Sequence, residues 1–315
     1  MISSSSDSTG GFGNITETVT VSATGDNNID GLLFGSQWAA SAISFSFTDS
    51  ISDYESGYYR LSAHEAGFRE FNAAQKATVR AWLGSGGASS FADVSGLRFI
   101  ELEDDRDRDA TMRIAMSGDP PTAYAYLPGP WVEAGDAWFG KTYYNQPVIG
   151  TYAHRSIGHE LGHALGLKHG HELDGVRDIA MDADRNSMEF SIMTYASYVG
   201  HPGSGGYTNE AGGYSQSLMM YDIAAIQHMY GANFDYNSDD TTYTFSTSTG
   251  EMFINGVGQG TPYTNRIFRT IWDGDGIDTY DFSNYTTNLS IDLTPGGWSN
   301  LDTTCLLYTS PSPRD

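Results

Sequence analysis

Residues 158–170 read GHELGHALGLKHG, and the spacing of the three histidines in this run decides how the chain folds around it. His159 and His163 are four residues apart, so on an α-helix their imidazoles project from one face, one turn apart. That geometry suits two nitrogen ligands on one metal ion, and zinc takes such ligands at about 2.0–2.1 Å. His169 cannot join them from the same continuous helix, because ten further residues at roughly 1.5 Å rise would carry it about 15 Å along the axis. Gly166 removes the difficulty: glycine tolerates the left-handed backbone that ends a helix and reverses the chain. The helix is expected to stop near Gly166 and His169 to fold back toward the other two. Glu160 stands about 100° around the helix from His159. With three imidazoles filling the protein positions on the metal, its carboxylate is left to serve as general base toward an attacking water. His64, His154, His171, His201 and His228 lie outside this spacing and are read as non-ligands.

A second segment, FSIMTYASY at 190–198, places Met193 and Tyr195 a loop of some two dozen residues beyond His169. This stretch resembles the Met-turn of metzincins, which implies a tight turn whose methionine forms an apolar floor beneath the three imidazoles. Taken together, HELGHALGLKH, SIMTY and YDIAAIQHMYGAN (221–233) resemble the serralysins, the secreted, calcium-dependent zinc proteases of bacteria within the metzincin group. The resemblance implies that Tyr195 ligates the resting zinc and moves during turnover to stabilise the oxyanion. It implies catalytic Zn2+, structural Ca2+, and protein or peptide substrates. The fold it implies is an α/β zincin-like (metzincin) catalytic domain, with a twisted, mostly parallel sheet and long helices. The start of a calcium-binding parallel β-roll, the RTX domain, would follow.

Composition sets outer limits. A chain of 315 residues is long enough for two domains. Lys and Arg number 16 against 39 Asp and Glu, a formal charge of −23, which argues against nucleic acid and anionic membrane surfaces as partners. The acidic excess also leaves carboxylates for calcium. With Cys305 as the single cysteine there is no internal disulfide framework. No apolar stretch approaches the roughly 18 residues of a membrane span, so no membrane insertion is expected. The opening MISSSSDSTGGFGNITETV lacks the basic and apolar regions of a Sec-type signal peptide. The serralysin resemblance implies instead a secreted, extracellular monomer, exported in one step through a channel that reads a C-terminal signal. That signal would lie beyond this sequence.

Along the chain, residues 1–20 are Ser/Gly-rich and are assigned to a mobile prosegment, 21–231 to the catalytic domain, and 232–304 to an incomplete β-roll. The alternation of Ile43, Phe45 and Phe47 in AISFSFTDS predicts a strand. Apolar spacing and helix-forming residues predict a helix from Ser62 to Leu83, ended by GSGG. LRFIELED (97–104) and TMRIAMS (111–117) read as strands, while PTAYAYLPG (121–129) and GDAWFGKTYY (135–144) bracket an edge strand. In the serralysins the corresponding edge holds substrate extended and antiparallel. The helix carrying the first two histidines is expected over 151–167, and a further one over 218–230.

Past Gly231 helical periodicity vanishes and short strands such as TYTFSTS appear. IWDGDGIDTYDFSNY (271–285) resembles the entry to the serralysin β-roll, which implies calcium ligands at Asp273, Asp275, Gly276 and Asp278, the middle two through their carbonyls. The family usually has glycine where Asp275 stands. The roll is begun and not completed, since no run of consecutive G-G-x-G-x-D repeats follows. The closing CLLYTSPSPRD (305–315) fits nothing before it and is set aside as foreign sequence. A zinc endopeptidase is the leading expectation. A non-proteolytic zinc hydrolase and a calcium-stabilised adhesion or binding module stay open beside it.

Overall fold

The computed structural model describes residues 17–84 and 89–301, together with the backbone of 308–310. Residues 1–16 of the assigned prosegment, and residues 305–307 and 311–315 of the tail set aside as foreign, lie outside the described residues. Thr18–Thr20 forms a strand antiparallel to Ser36–Trp38, so the last part of the 1–20 segment is paired. Tyr308–Ser310 pairs with Arg269–Thr270 in parallel and with Gly297–Ser299 antiparallel.

The site rests on a five-stranded sheet of β1 (Ala42–Ser46), β2 (Arg98–Leu102), β3 (Met112–Met116), β4 (Ala123–Ala125) and β5 (Ala137–Phe139), in the order β2-β1-β3-β5-β4. All pairings are parallel except β4 with β5, which places β4 antiparallel at the edge. Parallel strands bury both faces, and every residue of β3 is buried. Arg113 can stand in the middle of β3 because Asp136 receives its guanidinium at 2.8 Å, both side chains being buried.

The helix expected over 62–83 is two. Leu61–Glu65 ends before Gly67, whose φ of 79° breaks the helical path. Next, Arg69 exchanges backbone hydrogen bonds with Met116. A second start signal then opens α1 (Ala73–Leu83): Asn72 accepts from the Gln75 N–H while the Gln75 side chain accepts from the Asn72 N–H. The helical composition was continuous; the capping box inside it was not allowed for. Helices α2 (Tyr152–Leu165) and α3 (Met220–Tyr230) follow, each a little shorter than expected.

The core joins α1 through Val79 and Trp82, α2 through Ile157 and Leu161, and α3 through Ile223 and Ile226 to the sheet. It also takes in Phe268 and Trp272 from beyond Gly231. Gln216 donates to the Phe268 carbonyl at 2.8 Å, and the Trp272 indole donates to the Asn233 carbonyl at 2.9 Å. The polar C-terminal region is therefore anchored on the helical unit.

That region holds a second sheet of β6 (Thr242–Phe245), β7 (Met252–Ile254), β8 (Val257–Gly258) and β9 (Thr279–Asp281), in the order β8-β7-β6-β9. Only β6 with β9 is parallel; β6-β7-β8 is an antiparallel meander, where a parallel roll was expected. The turn chemistry explains the difference. Asn255 and Gly256 both have positive φ, 49° and 80°, as a two-residue hairpin turn demands, and a hairpin joins antiparallel neighbours.

Candidate metal centre

Helix α2 is fixed at both ends. The Thr151 hydroxyl accepts from the His154 N–H, and Gly166, with φ at 111°, closes the helix as its N–H meets the Gly162 and His163 carbonyls. A Cβ at Gly166 would stand 2.5 Å from the Ser36 carbonyl oxygen, so the chain reversal there needs glycine on both counts. The reversal returns His169 to the helix. The Nε2 atoms of His159, His163 and His169 form a near-equilateral triangle with sides of 3.1, 3.0 and 3.2 Å.

These three contacts are not hydrogen bonds. His159 Nδ1 lies 2.7 Å from the Ile192 carbonyl, His163 Nδ1 2.7 Å from the Leu167 carbonyl, and His169 Nδ1 2.8 Å from the Glu172 carboxylate. Each of those oxygens only accepts, so each Nδ1 carries the proton and each Nε2 presents a bare lone pair. Three lone pairs facing one another repel unless a cation sits among them. Nitrogens at about 2.0–2.1 Å from one ion in a tetrahedral shell lie roughly 3.3 Å apart, which these distances approach. Burial holds all three imidazoles neutral, with His163 pushed down to about 3, and neutral imidazole is the ligating form. The residues present fit a zinc ion.

The floor of the triangle is equally constrained. Met193 is fully buried, and a Cβ on Gly162 would meet its sulfur at 2.8 Å, so the helix is bare where the methionine approaches. Asp222 on α3 holds the turn that carries Met193: its carboxylate accepts from the Ser191 hydroxyl at 2.6 Å, the Ile192 N–H at 2.8 Å and the Met219 N–H at 2.9 Å. Through the Ile192 peptide it also steadies the acceptor of His159. On the open side, the Tyr195 hydroxyl donates to His169 Nε2 at 2.8 Å, and the residue remains 40% exposed.

Glu160 is buried beside the triangle. Burial pushes its carboxyl up to about 8, against the opposing pull of the Arg155 charge and a hydrogen bond from the Ala125 N–H. It lines two cavities, of ≈ 550 and ≈ 270 Å³, that also share Ala123, His159 and Tyr195. The two form one cleft along edge strand β4, with the histidines between them.

Four of the remaining histidines have other partners: His64 stacks on Trp138 at 3.9 Å, His154 packs on Trp82, His201 Nδ1 accepts from the Gly203 N–H, and His228 Nε2 donates to the Ser22 carbonyl. His171 is exposed and stands with His169 and Glu172 close enough for the three to share a cation. Sequence reasoning missed Glu172 and Asp222. Both are ordinary acids in an acidic chain, and only the third histidine's position and the turn's path give them a task.

At the far end, Asp273 accepts from the Tyr243 hydroxyl and the Asp275 N–H, and Asp278 accepts from the Thr241 N–H at 3.0 Å. Burial and its neighbours Asp278 and Asp275 leave the Asp273 carboxyl raised to about 6. Among the described residues, these three carboxylates do not gather within 4.8 Å as the histidines do. Gly276, with φ at 107°, lies close against Asp239: a Cβ there would stand 2.8 Å from the Asp239 carbonyl oxygen and 3.1 Å from Asp278 Oδ1. A cation is favoured by the like charges, although several of the carboxylate oxygens already have protein donors.

The histidine triangle, its glutamate and its methionine floor coincide with a sequence likeness. Serralysin G of Dickeya chrysanthemi is 33% identical over 282 residues, covering 83% of this chain and 53% of that protein. The chain is a serralysin homologue. Metallopeptidase AprA of Pseudomonas marginalis is 31% identical over 256 residues, 75% of the chain and 50% of the relative. A serralysin of Photorhabdus laumondii is 29% identical over 269 residues, 82% and 52% respectively. A family model described as Peptidase M10 serralysin C terminal matches residues 232–304. The chain spans about half the length of the serralysins it matches.

Proposed function

We propose that the chain is the peptidase portion of a secreted zinc endopeptidase, with His159, His163 and His169 as the zinc ligands. The observation that carries this reading is the triangle of lone pairs, each enforced by a committed Nδ1. Zinc held there would supply a Lewis acid for the scissile carbonyl and for the attacking water. Glu160 takes a proton from that water and delivers it to the nitrogen of the leaving segment, a role suited to a carboxyl poised near neutrality. The Tyr195 hydroxyl, exposed and free to turn away from His169, donates to the oxyanion. Substrate lies extended along β4, whose outer edge faces the cleft, so peptides are favoured over small esters or amides.

Residues 21–231 form the catalytic unit in this reading, and 232–304 the calcium-stabilised segment, with Asp273, Asp275, Gly276 and Asp278 around Ca2+. Exported serralysins act outside the cell, and the same place is proposed for this protein, acting as a monomer on protein substrates. No helix among the described residues is long and apolar enough to cross a membrane. Metal analysis of the purified chain together with casein hydrolysis tests the reading. Zinc near one equivalent, with hydrolysis lost to a chelator and restored by zinc, is expected. Bound zinc without hydrolysis of any peptide would favour a non-proteolytic hydrolase, and absence of zinc binding would leave a binding module.

A further inference from the structure

Arg155 lies one turn before His159 on α2 and is 2% exposed, yet it forms no ion pair among the described residues. Its Nη2 donates to the Thr194 carbonyl at 2.6 Å, and its guanidinium carbon stands 4.9 Å from the centre of the Tyr207 ring. Its Nε has no hydrogen-bond partner among the described residues. A guanidinium stays charged at any ordinary pH. The buried carboxylates of Glu160 and Asp222 feel that charge without bonding to it, and a buried guanidinium with an unspent donor and no bonded carboxylate is an expensive arrangement for structure alone. The residue forms part of the wall of the larger cavity, ≈ 550 Å³, together with Tyr143, Tyr152, Tyr207 and Tyr214. Glu160 is the sole carboxylate among the lining residues, and the proposed proton transfer already employs it.

The direction of the cleft says which part of a substrate enters this cavity. A peptide antiparallel to β4 runs from the Ala125 end toward the Ala123 end. The larger cavity is walled by Thr122 and Ala123, and the smaller extends to Ala125 and Leu127. The larger cavity therefore lies on the C-terminal side of the scissile bond and receives the first side chain of the leaving segment. The geometry points to a carboxylate-selecting subsite, in which Arg155 pairs with a glutamate or aspartate immediately after the cleaved bond. This rests on the peptidase reading above. A side-chain carboxylate supplies a directly bonded counter-ion, and the ≈ 550 Å³ volume is ample for a glutamate.

The test uses zinc-loaded protein and quenched fluorescent peptides that differ only in the residue after the scissile bond: Glu, Gln, Leu or Lys. The glutamate peptide is expected to exceed its glutamine counterpart by ~10–100-fold in kcat/KM, the scale of one shielded, charge-assisted contact. Arg155→Gln should bring the glutamate and glutamine peptides within about threefold of each other, whatever it does to the rate common to all peptides through Glu160; Arg155→Lys should keep part of the preference. A second readout is binding of the same peptides to Glu160→Gln protein by fluorescence anisotropy, with tighter binding of the glutamate peptide lost in the Glu160→Gln, Arg155→Gln double variant. Equal handling of Glu and Gln by the parent protein in both assays overturns the inference. So does an equal loss across all peptides in Arg155→Gln with zinc content and circular dichroism intact, because that is what support of Thr194 alone would give. Failure to cleave any peptide overturns the peptidase reading instead, and the anisotropy comparison then decides the subsite separately.

Discussion

Two of the three imidazoles are oriented by main-chain carbonyls, those of Ile192 and Leu167, which no side-chain substitution deletes. The third depends on Glu172, and Glu172→Ala therefore isolates what orienting one ligand contributes. The carboxylate makes two contacts, 2.8 Å to His169 Nδ1 and 3.1 Å to the His169 N–H. Burial, the largest single influence, would raise its pKa, but the interactions with His169 and His163 together outweigh it and the carboxyl is held below its ordinary value. Charge-assisted bonds of this kind contribute about 1.5–3 kcal/mol when shielded. The Glu172 side chain is 38% exposed, so water recovers part of the loss and about 1–2 kcal/mol remains. That corresponds to ~5–30-fold weaker zinc binding, overlapping the range typical of partners behind a metal ligand. Competition against a chromogenic chelator at neutral pH measures it, with His169→Ala as the larger reference loss. A dissociation constant within about twofold of the parent, in a protein of unchanged fold, would refute the positioning role and leave His169 held by its loop alone.

Glu160→Gln keeps the shape and all three histidines, so zinc content should persist while peptide turnover falls by ~10²–10⁴-fold; comparable turnover would sink the general-base assignment. Tyr195→Phe should retain zinc and lose ~10–10³-fold in kcat with KM little changed, because its contact to the oxyanion forms in the transition state; full kcat on a short fluorogenic peptide would remove the tyrosine from the chemistry. Thermal unfolding in calcium against a calcium-selective chelator should show a lower midpoint in the chelator, as like-charged Asp273 and Asp278 lose their cation; identical midpoints would argue against a bound ion. Gly166→Ala should cost about 1–3 kcal/mol in urea unfolding, from a positive φ and a 2.5 Å approach to the Ser36 carbonyl; an unchanged midpoint would contradict the chain reversal.

The histidine triangle was legible because helical periodicity and one glycine fix three side chains by covalent geometry. Several strands were legible from their apolar patterns, while their parallel arrangement came only through the serralysin resemblance; the edge strand, expected between PTAYAYLPG and GDAWFGKTYY, lies inside the first, at Ala123–Ala125. What escaped depended on contacts distant in sequence or on local signals overridden by a broader pattern. Glu172 and Asp222 carry no mark that separates them from the other acids until their partners arrive. The break between Glu65 and Ala73 was hidden by uniformly helical composition, although the Asn72–Gln75 capping box was written there. In the C-terminal region the expectation of a roll outweighed a plain hairpin signal at Asn255-Gly256.

The return of Phe268 and Trp272 to the main core gives the order of synthesis a consequence. Helices α2 and α3 emerge from the ribosome well before Phe268 and Trp272, which complete the apolar core they share. That seam of the core stays incomplete until the chain has grown as far as Trp272. In the finished protein the same seam ties distant stretches into one cooperative unit, so amide exchange at Trp272 should be as slow as in the middle of α2. A fragment ended at Gly231 would keep the three histidines and Glu160 and still lack two side chains of their core.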